Sequence, residues 1–366
     1  MIGRAARRIP MLAIGLPSMA GGVWLGLVRL GWNLPLPWPD QLIAHGPLMV
    51  CGFLGTLISL ERAVALGERW GYAAPILIAA GALALDLGPL GSFGPPLITI
   101  GSVVVLMMFV VVWRRQPSLF VSTMALGSLA WIAGNGRWLA GAAIFRVVFW
   151  WLAFLVLTIA GERLELNRVL RPTRAVRGTF VVAMLLILAG VAATVWWPEP
   201  GVRALGAGLL AMTWWLARND VARRTIHQHG VTRFMAVCLL GGYAWLGLGG
   251  AVAAITGAAA PGLLYDAMLH AVFLGFVMSM VFAHAPVIFP AIVSRPLPYH
   301  PAFYVHVGVL HLSLTLRIVG DLVDSLGRWR VWGGLFNAVA LLLFLANTGR
   351  AIAMTPSATA SVPQTR

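Results

Sequence analysis

Lysine is absent from this 366-residue chain, and aspartate and glutamate together number only 11. Charged residues of both signs make up 10% of the sequence, against about 25% in an average soluble domain. Hydrophobic residues reach 60%, and the mean hydropathy is +0.88. Such a chain cannot cover a water-facing surface, which excludes soluble enzymes and secreted disulfide scaffolds. Cysteine is equally scarce. Cys51 and Cys238 both lie in apolar runs, without partners at metal-ligand spacing, and read as small buried hydrophobes.

What charge there is belongs almost entirely to arginine. The net charge of +15 comes from 26 basic residues, all of them Arg. In a polar chain that excess would point to nucleic acid. Here the arginines stand at the ends of apolar runs, where they set topology and meet lipid headgroups. The expected partner is the lipid bilayer, not nucleic acid.

A bilayer crossing needs roughly 20 apolar residues. Runs of about that length fall at 9–30, 41–60, 71–88, 95–113, 117–137, 143–161, 178–197, 202–217, 233–256, 264–288, 302–322 and 331–349. The first follows Arg4, Arg7 and Arg8 and is too long for the apolar core of a signal peptide. The expectation is an all-α integral membrane fold of about 12 transmembrane helices. With both termini inside, 19 of the 26 arginines fall on the inner side, as the positive-inside rule requires. Residues 1–350 read as a single polytopic membrane domain. Residues 351–366, ending "MTPSATASVPQTR", read as a disordered cytoplasmic tail. The outer loops "NLPLPWPD" and "WWPEPG" carry the Pro and Trp that suit an interface.

Ionisable groups inside a span are costly and mark function. Of eight histidines, His227, His229 and His300 fall in loops. His45, His270, His284, His306 and His311 fall within apolar runs. Imidazole is the usual neutral protein ligand of haem iron and of copper. His45 follows Asp40 by five residues on helix two, and His270 follows Asp266 by four on helix ten. Both are expected at similar depth in the outer leaflet, placed to bracket one metal or one haem plane. His284 lies fourteen residues past His270 on the same predicted helical face, with Phe273, Val277 and Val281 between them. Its depth is close to that of His306, so an inner metal site of His284 with His306 or His311 is geometrically open. The other reading is that His284 bonds carbonyls freed by Pro286 and Pro290.

Further polar residues complete the pattern. His306, Ser313, Arg317, Asp321 and Asp324 recur at helical spacing on helix eleven. Arg317 either pairs with Asp321 at i,i+4 or, with Arg137, meets the anionic propionates of a cofactor. Glu61–Arg62 and Glu162–Arg163 read as charge pairs at the inner ends of helices two and six. Asp86 and Asn135 are outer polar groups without an assigned role.

"DQLIAHGPLMVCGFLGTLI" at 40–58 and "DAMLHAVFLGFVMSMVF" at 266–282 each have an Asp, a His soon after, and a Gly-Phe pair deeper in. The Glu-Arg ending links helix two to helix six in the same way. A four-helix unit repeated three times accounts for both spacings and puts helices two, six and ten around a common interior.

Twelve spans in three four-helix arcs, with histidines on helices two and ten, resemble the catalytic subunit of haem-copper oxidases. "HAVFLGFVMSMVFAHAPVI", from His270 onward, more closely resembles the "HALTVGA" helix of the NnrS family. Those are bacterial membrane proteins of nitric oxide metabolism reported to hold haem and copper. The resemblance implies a bacterial inner-membrane location. It also implies a haem b (iron) held by His45 and His270, copper as a further metal, and a redox partner or small gas ligand. Helix six has neither His nor Tyr, helix seven lacks the His pair, and helix ten lacks His-x-His. The usual copper site, a second haem on helix ten and an oxygen-reducing pump therefore do not carry over. The expected function is an NnrS-like haem protein of electron transfer or, as an enzyme, a membrane oxidoreductase acting on nitric oxide. A transporter using the intramembrane histidines for a metal ion or small solute is the alternative. A purely structural subunit is a third reading, against which the five histidines argue.

Overall fold

The computed structural model describes residues 2–293 and 295–354, all of it helix, turn or loop with no strand among the described residues. Residues 355–366, most of the expected tail, lie outside them. Of Arg4, Arg7, Arg8, Asp40 and Asp324 only the backbone is described.

Nine helices among the described residues are long and apolar enough to cross a membrane. They are α2 (Gln41–Leu66), α4 (Gly91–Arg115), α5 (Leu119–Leu139), α6 (Ile144–Leu170), α7 (Arg174–Ala193), α9 (Gly230–Thr256), α10 (Leu263–Ile292), α11 (Phe303–Leu322) and α12 (Gly327–Ala353). Three others are interleaved with them: α1 (Ile2–Arg29), α3 (Ala73–Asp86) and α8 (Pro198–Asn219). The protein is thus an all-helical membrane protein.

Chain neighbours pack as antiparallel hairpins, most extensively α5 on α6, α7 on α8 and α11 on α12. Between hairpins, α1 lies along α2, α3 and α10, and α10 packs on α9 and α11. A helix apolar on every side must be buried or face lipid. α6 is the extreme case: Val147 to Leu157 is almost wholly buried, with Trp151 and Phe154 sealed inside. The helices burying the largest share of their apolar window are α6 at 78%, α2 at 67% and α10 at 61%.

The helices that carry His45 and His270, α2 and α10, both depart from α-geometry just after these histidines. α2 is π-helical over Leu48–Gly55, and α10 over Ala271–Val277. In a π-turn each N–H bonds five residues back, which widens the helix; such turns cluster at functional sites. Each residue there also advances through a smaller angle than in an α-helix. The fourteen-residue count that put His270 and His284 on one face therefore does not hold across Ala271–Val277.

Candidate functional site

The site begins where α1 passes the amino end of α2. Pro39 starts a 3-10 turn, Pro39–Ala44, that delivers the chain to His45. The Nδ1 of His45 donates to the carbonyl of Gly22 at 2.6 Å. One turn on, Gly26 has no side chain where a Cβ would stand 2.9 Å from the His45 ring. Gly22 and Gly26 thus form a four-residue spacing of small residues that lets α1 close on the imidazole.

His270 is held from its own helix. Its Nδ1 donates to the Asp266 carbonyl at 2.9 Å, and Asp266 Oδ1 lies 3.3 Å away. The other carboxylate oxygen of Asp266 accepts from Arg317 Nε at 3.2 Å and Nη2 at 2.8 Å. Arg317 can stand there because Gly333 and Gly334 of α12 face it; a Cβ on Gly333 would lie 2.5 Å from the Arg317 backbone nitrogen. A chain of contacts therefore runs from α12 through Arg317 and Asp266 to His270.

The two imidazoles face each other across α2 and α10, with centroids 6.3 Å apart and planes inclined by 21°. With both Nδ1 atoms donating, each ring is the tautomer whose Nε2 carries a free lone pair. Among the described residues neither Nε2 has a hydrogen-bond partner. Two metal–nitrogen bonds of about 2.0–2.1 Å, each extended by roughly 1 Å to the ring centre, set opposed imidazole centroids about 6 Å apart. The spacing fits two imidazoles on one metal ion. A carbonyl or carboxylate on the opposite ring nitrogen is the usual support of a metal-ligating histidine.

Other expected contacts are arranged differently. Arg317 pairs with Asp266 of α10, not with Asp321 four residues on, because α10 presents its carboxylate directly to the guanidinium. Asp321 instead faces Arg330 at 3.9 Å. Arg137 has its Nε buried on α5 without an acceptor, and no contact joins it to the histidine pair among the described residues. The arginine that sequence reasoning missed is Arg29, which with Arg317 lies within electrostatic reach of His45.

The inner histidines are engaged separately. His284 donates from Nδ1 to the Met280 carbonyl at 2.7 Å, which is not a carbonyl freed by Pro286 or Pro290. His306 is walled by Phe234, Phe282, Phe303 and Phe344, and its Nδ1 lies 3.2 Å from the amide of Asn347. His311 accepts the indole N–H of Trp245 at 2.7 Å. No three of His, Cys, Asp and Glu gather at one point among the described residues.

At the opposite end of the bundle, the two Glu-Arg pairs cross between helices. Arg62 of α2 bonds Glu162 of α6, with Glu61 alongside. Arg163 leaves its own neighbour and makes two 2.7 Å bonds to Asp220, both residues sealed from solvent. Asp220 went unnoticed in the sequence because it lies among loop arginines. Its being the sole acid between Arg218 and Arg224 was the available signal.

No curated protein matches the chain. The model of a domain of unknown function, DUF8744, matches residues 8–353, and the protein belongs to that family.

Proposed function

We propose that this protein is an NnrS-like haem-binding protein of the bacterial inner membrane, in which His45 and His270 would hold the iron of one haem b. The observation that carries the reading is the pair itself: two imidazoles at one height, 6.3 Å apart, each fixed by its Nδ1 and open at its Nε2. A bare divalent ion asks three or four ligands of the protein. A haem brings four of its own and asks for two.

The same reading includes twelve spans, counting α1, α3 and α8 with the nine apolar helices, as a four-helix unit repeated three times. Its support is that α2, α6 and α10, at four-helix intervals, are the most buried of the nine. Both termini face the cytoplasm. Arg317 and Arg29 take the place next to the haem edge that sequence reasoning gave to Arg317 and Arg137.

A haem held by two imidazoles supplies single-electron transfer and keeps no open position for a gas. The proposal therefore commits to electron transfer with a membrane redox partner, linked to nitric oxide metabolism by the family resemblance, rather than to turnover of nitric oxide. The chain's own contribution is to fix the orientation of both imidazoles. Copper is not included, since His284, His306 and His311 each have separate surroundings. Transport asks for interior groups free to bind and release a solute, whereas both outer histidines are tied by Nδ1.

The test is the absorption spectrum of detergent-purified protein. A Soret band is expected, and it should be lost or strongly reduced in both His45→Ala and His270→Ala. A colourless wild-type protein, purified from cells supplied with haem precursor, refutes the proposal.

A further inference from the structure

A second site lies at the opposite end of the bundle, independent of the histidine pair. The loop after α6, the start of α7 and the end of α8 enclose a cavity of about 470 Å³. Four arginines line it: Arg171, Arg218, Arg223 and Arg224. None of the four is in an ion pair among the described residues. The one carboxylate in the wall, Asp220, is already neutralised by Arg163 and accepts from the Ala222 N–H at 2.7 Å. The cavity is therefore strongly cationic with no internal counter-charge.

Two features show more than arginines placed for topology. Asn167 lines the cavity and is 2% exposed; its Oδ1 accepts from the Val221 N–H at 3.0 Å, while its Nδ2 has no acceptor. A buried donor left open beside a cationic cavity is a place for an anion's oxygen. Arg171 is held at φ 47°, the only non-glycine residue in the left-handed region among the described residues. Backbone of that kind persists where the surroundings demand it, and it gathers at binding sites. The amino end of α7, with Thr173 as its cap, opens into the same space and adds its positive dipole end.

We propose that this cavity binds a phosphate group, with the four guanidiniums and the Asn167 amide as donors. Guanidinium matches phosphate oxygens in pairs, and basic pockets between helices at the cytoplasmic face take anionic headgroups. The shared chemistry is a phosphate carrying at least one full negative charge, supplied either by a phospholipid headgroup or by a soluble phosphorylated compound.

The experiment uses the full chain, delipidated in a neutral detergent at low ionic strength. Inorganic pyrophosphate is titrated by calorimetry, and dioctanoyl phosphatidic acid by native mass spectrometry. Wild type is compared with Arg171→Gln/Arg224→Gln and with Asn167→Asp, which keeps the acceptor for Val221 and removes the donor. Arg114→Gln/Arg350→Gln, two exposed arginines outside the cavity, is the control. Binding of at least one probe is expected to weaken tenfold or more in both cavity variants and to stay within twofold in the control. Retained pyrophosphate binding identifies a soluble ligand; binding of phosphatidic acid alone identifies a headgroup. If neither probe distinguishes wild type from the cavity variants, or the control loses as much, the site does not exist.

Discussion

Arg163 and Asp220, at one end of the bundle, share two 2.7 Å bonds donated by the guanidinium and are both sealed from solvent. His45 and His270, at the other end, are each held by Nδ1, yet neither Nε2 meets a protein group among the described residues. The first pair closes on itself. Taking ions into a low-dielectric interior is repaid only by such full pairing, and its product is a fixed packing of α6 against the start of the loop after α8. The second pair spends hydrogen bonds on orientation and leaves both Nε2 atoms without a protein partner among the described residues. Closed polar pairs build the bundle; oriented but open ones are where a ligand enters.

The largest effect should come from opening the closed pair. Arg163→Ala strands the Asp220 carboxylate, a loss of about 3–5 kcal/mol for a buried partner. We expect a large drop in monodisperse yield and melting temperature, with recovery in Arg163→Met/Asp220→Leu. An unchanged melting temperature in the single variant would show that water reaches Asp220 and that the pair is not closed.

Next in size is removal of the support behind an open imidazole. Asp266→Ala takes away the carboxylate beside His270 and the only acceptor of Arg317 among the described residues. Loss of such outer support typically weakens metal affinity about 10–100-fold. Haem occupancy, read as Soret absorbance per protein, should fall by that order when haem is limiting, while the melting temperature of haem-free protein falls less than in Arg163→Ala, because the Asp266 carboxylate is 30% exposed whereas Asp220 is sealed. Equal loss of both would place Asp266 with the structural pairs.

A smaller effect is expected at Gly26, where a side chain meets the His45 ring. Overpacking of this kind costs about 1–3 kcal/mol. Gly26→Leu should lower haem occupancy more than Gly31→Leu, whose neighbourhood is open although its own backbone disfavours a side chain. The smallest is Arg317→Lys, which keeps the charge and loses the two-bond contact with Asp266. Haem retention should fall less than tenfold, since lysine keeps the positive charge at the haem edge; a loss as great as that of Asp266→Ala would mean that the two-bond contact with Asp266, not the charge, holds the site.

The closeness of the two histidines was legible because each follows an Asp by four or five residues near the start of its apolar run. The helix positions were legible because the apolar runs are punctuated by Arg, Pro and Trp. Pairings between helices were not. Arg317 has an acid at i+4, so a local pair is the natural reading, and only the packing of α10 on α11 brings Asp266 within reach. Arg163 likewise passes over its neighbour Glu162 for Asp220, 57 residues on. The π-turns at Leu48–Gly55 and Ala271–Val277 left no trace either, because both segments are apolar all round and show no face whose period could shift.

The central claim is that His45 and His270 bind the same iron. Electron paramagnetic resonance of the oxidised, haem-loaded protein tests it most directly. A low-spin ferric signal is expected in wild type, converting to high-spin when either His45 or His270 alone is replaced by Ala. A low-spin signal that survives both single replacements would contradict the account, as would protein that takes up no haem.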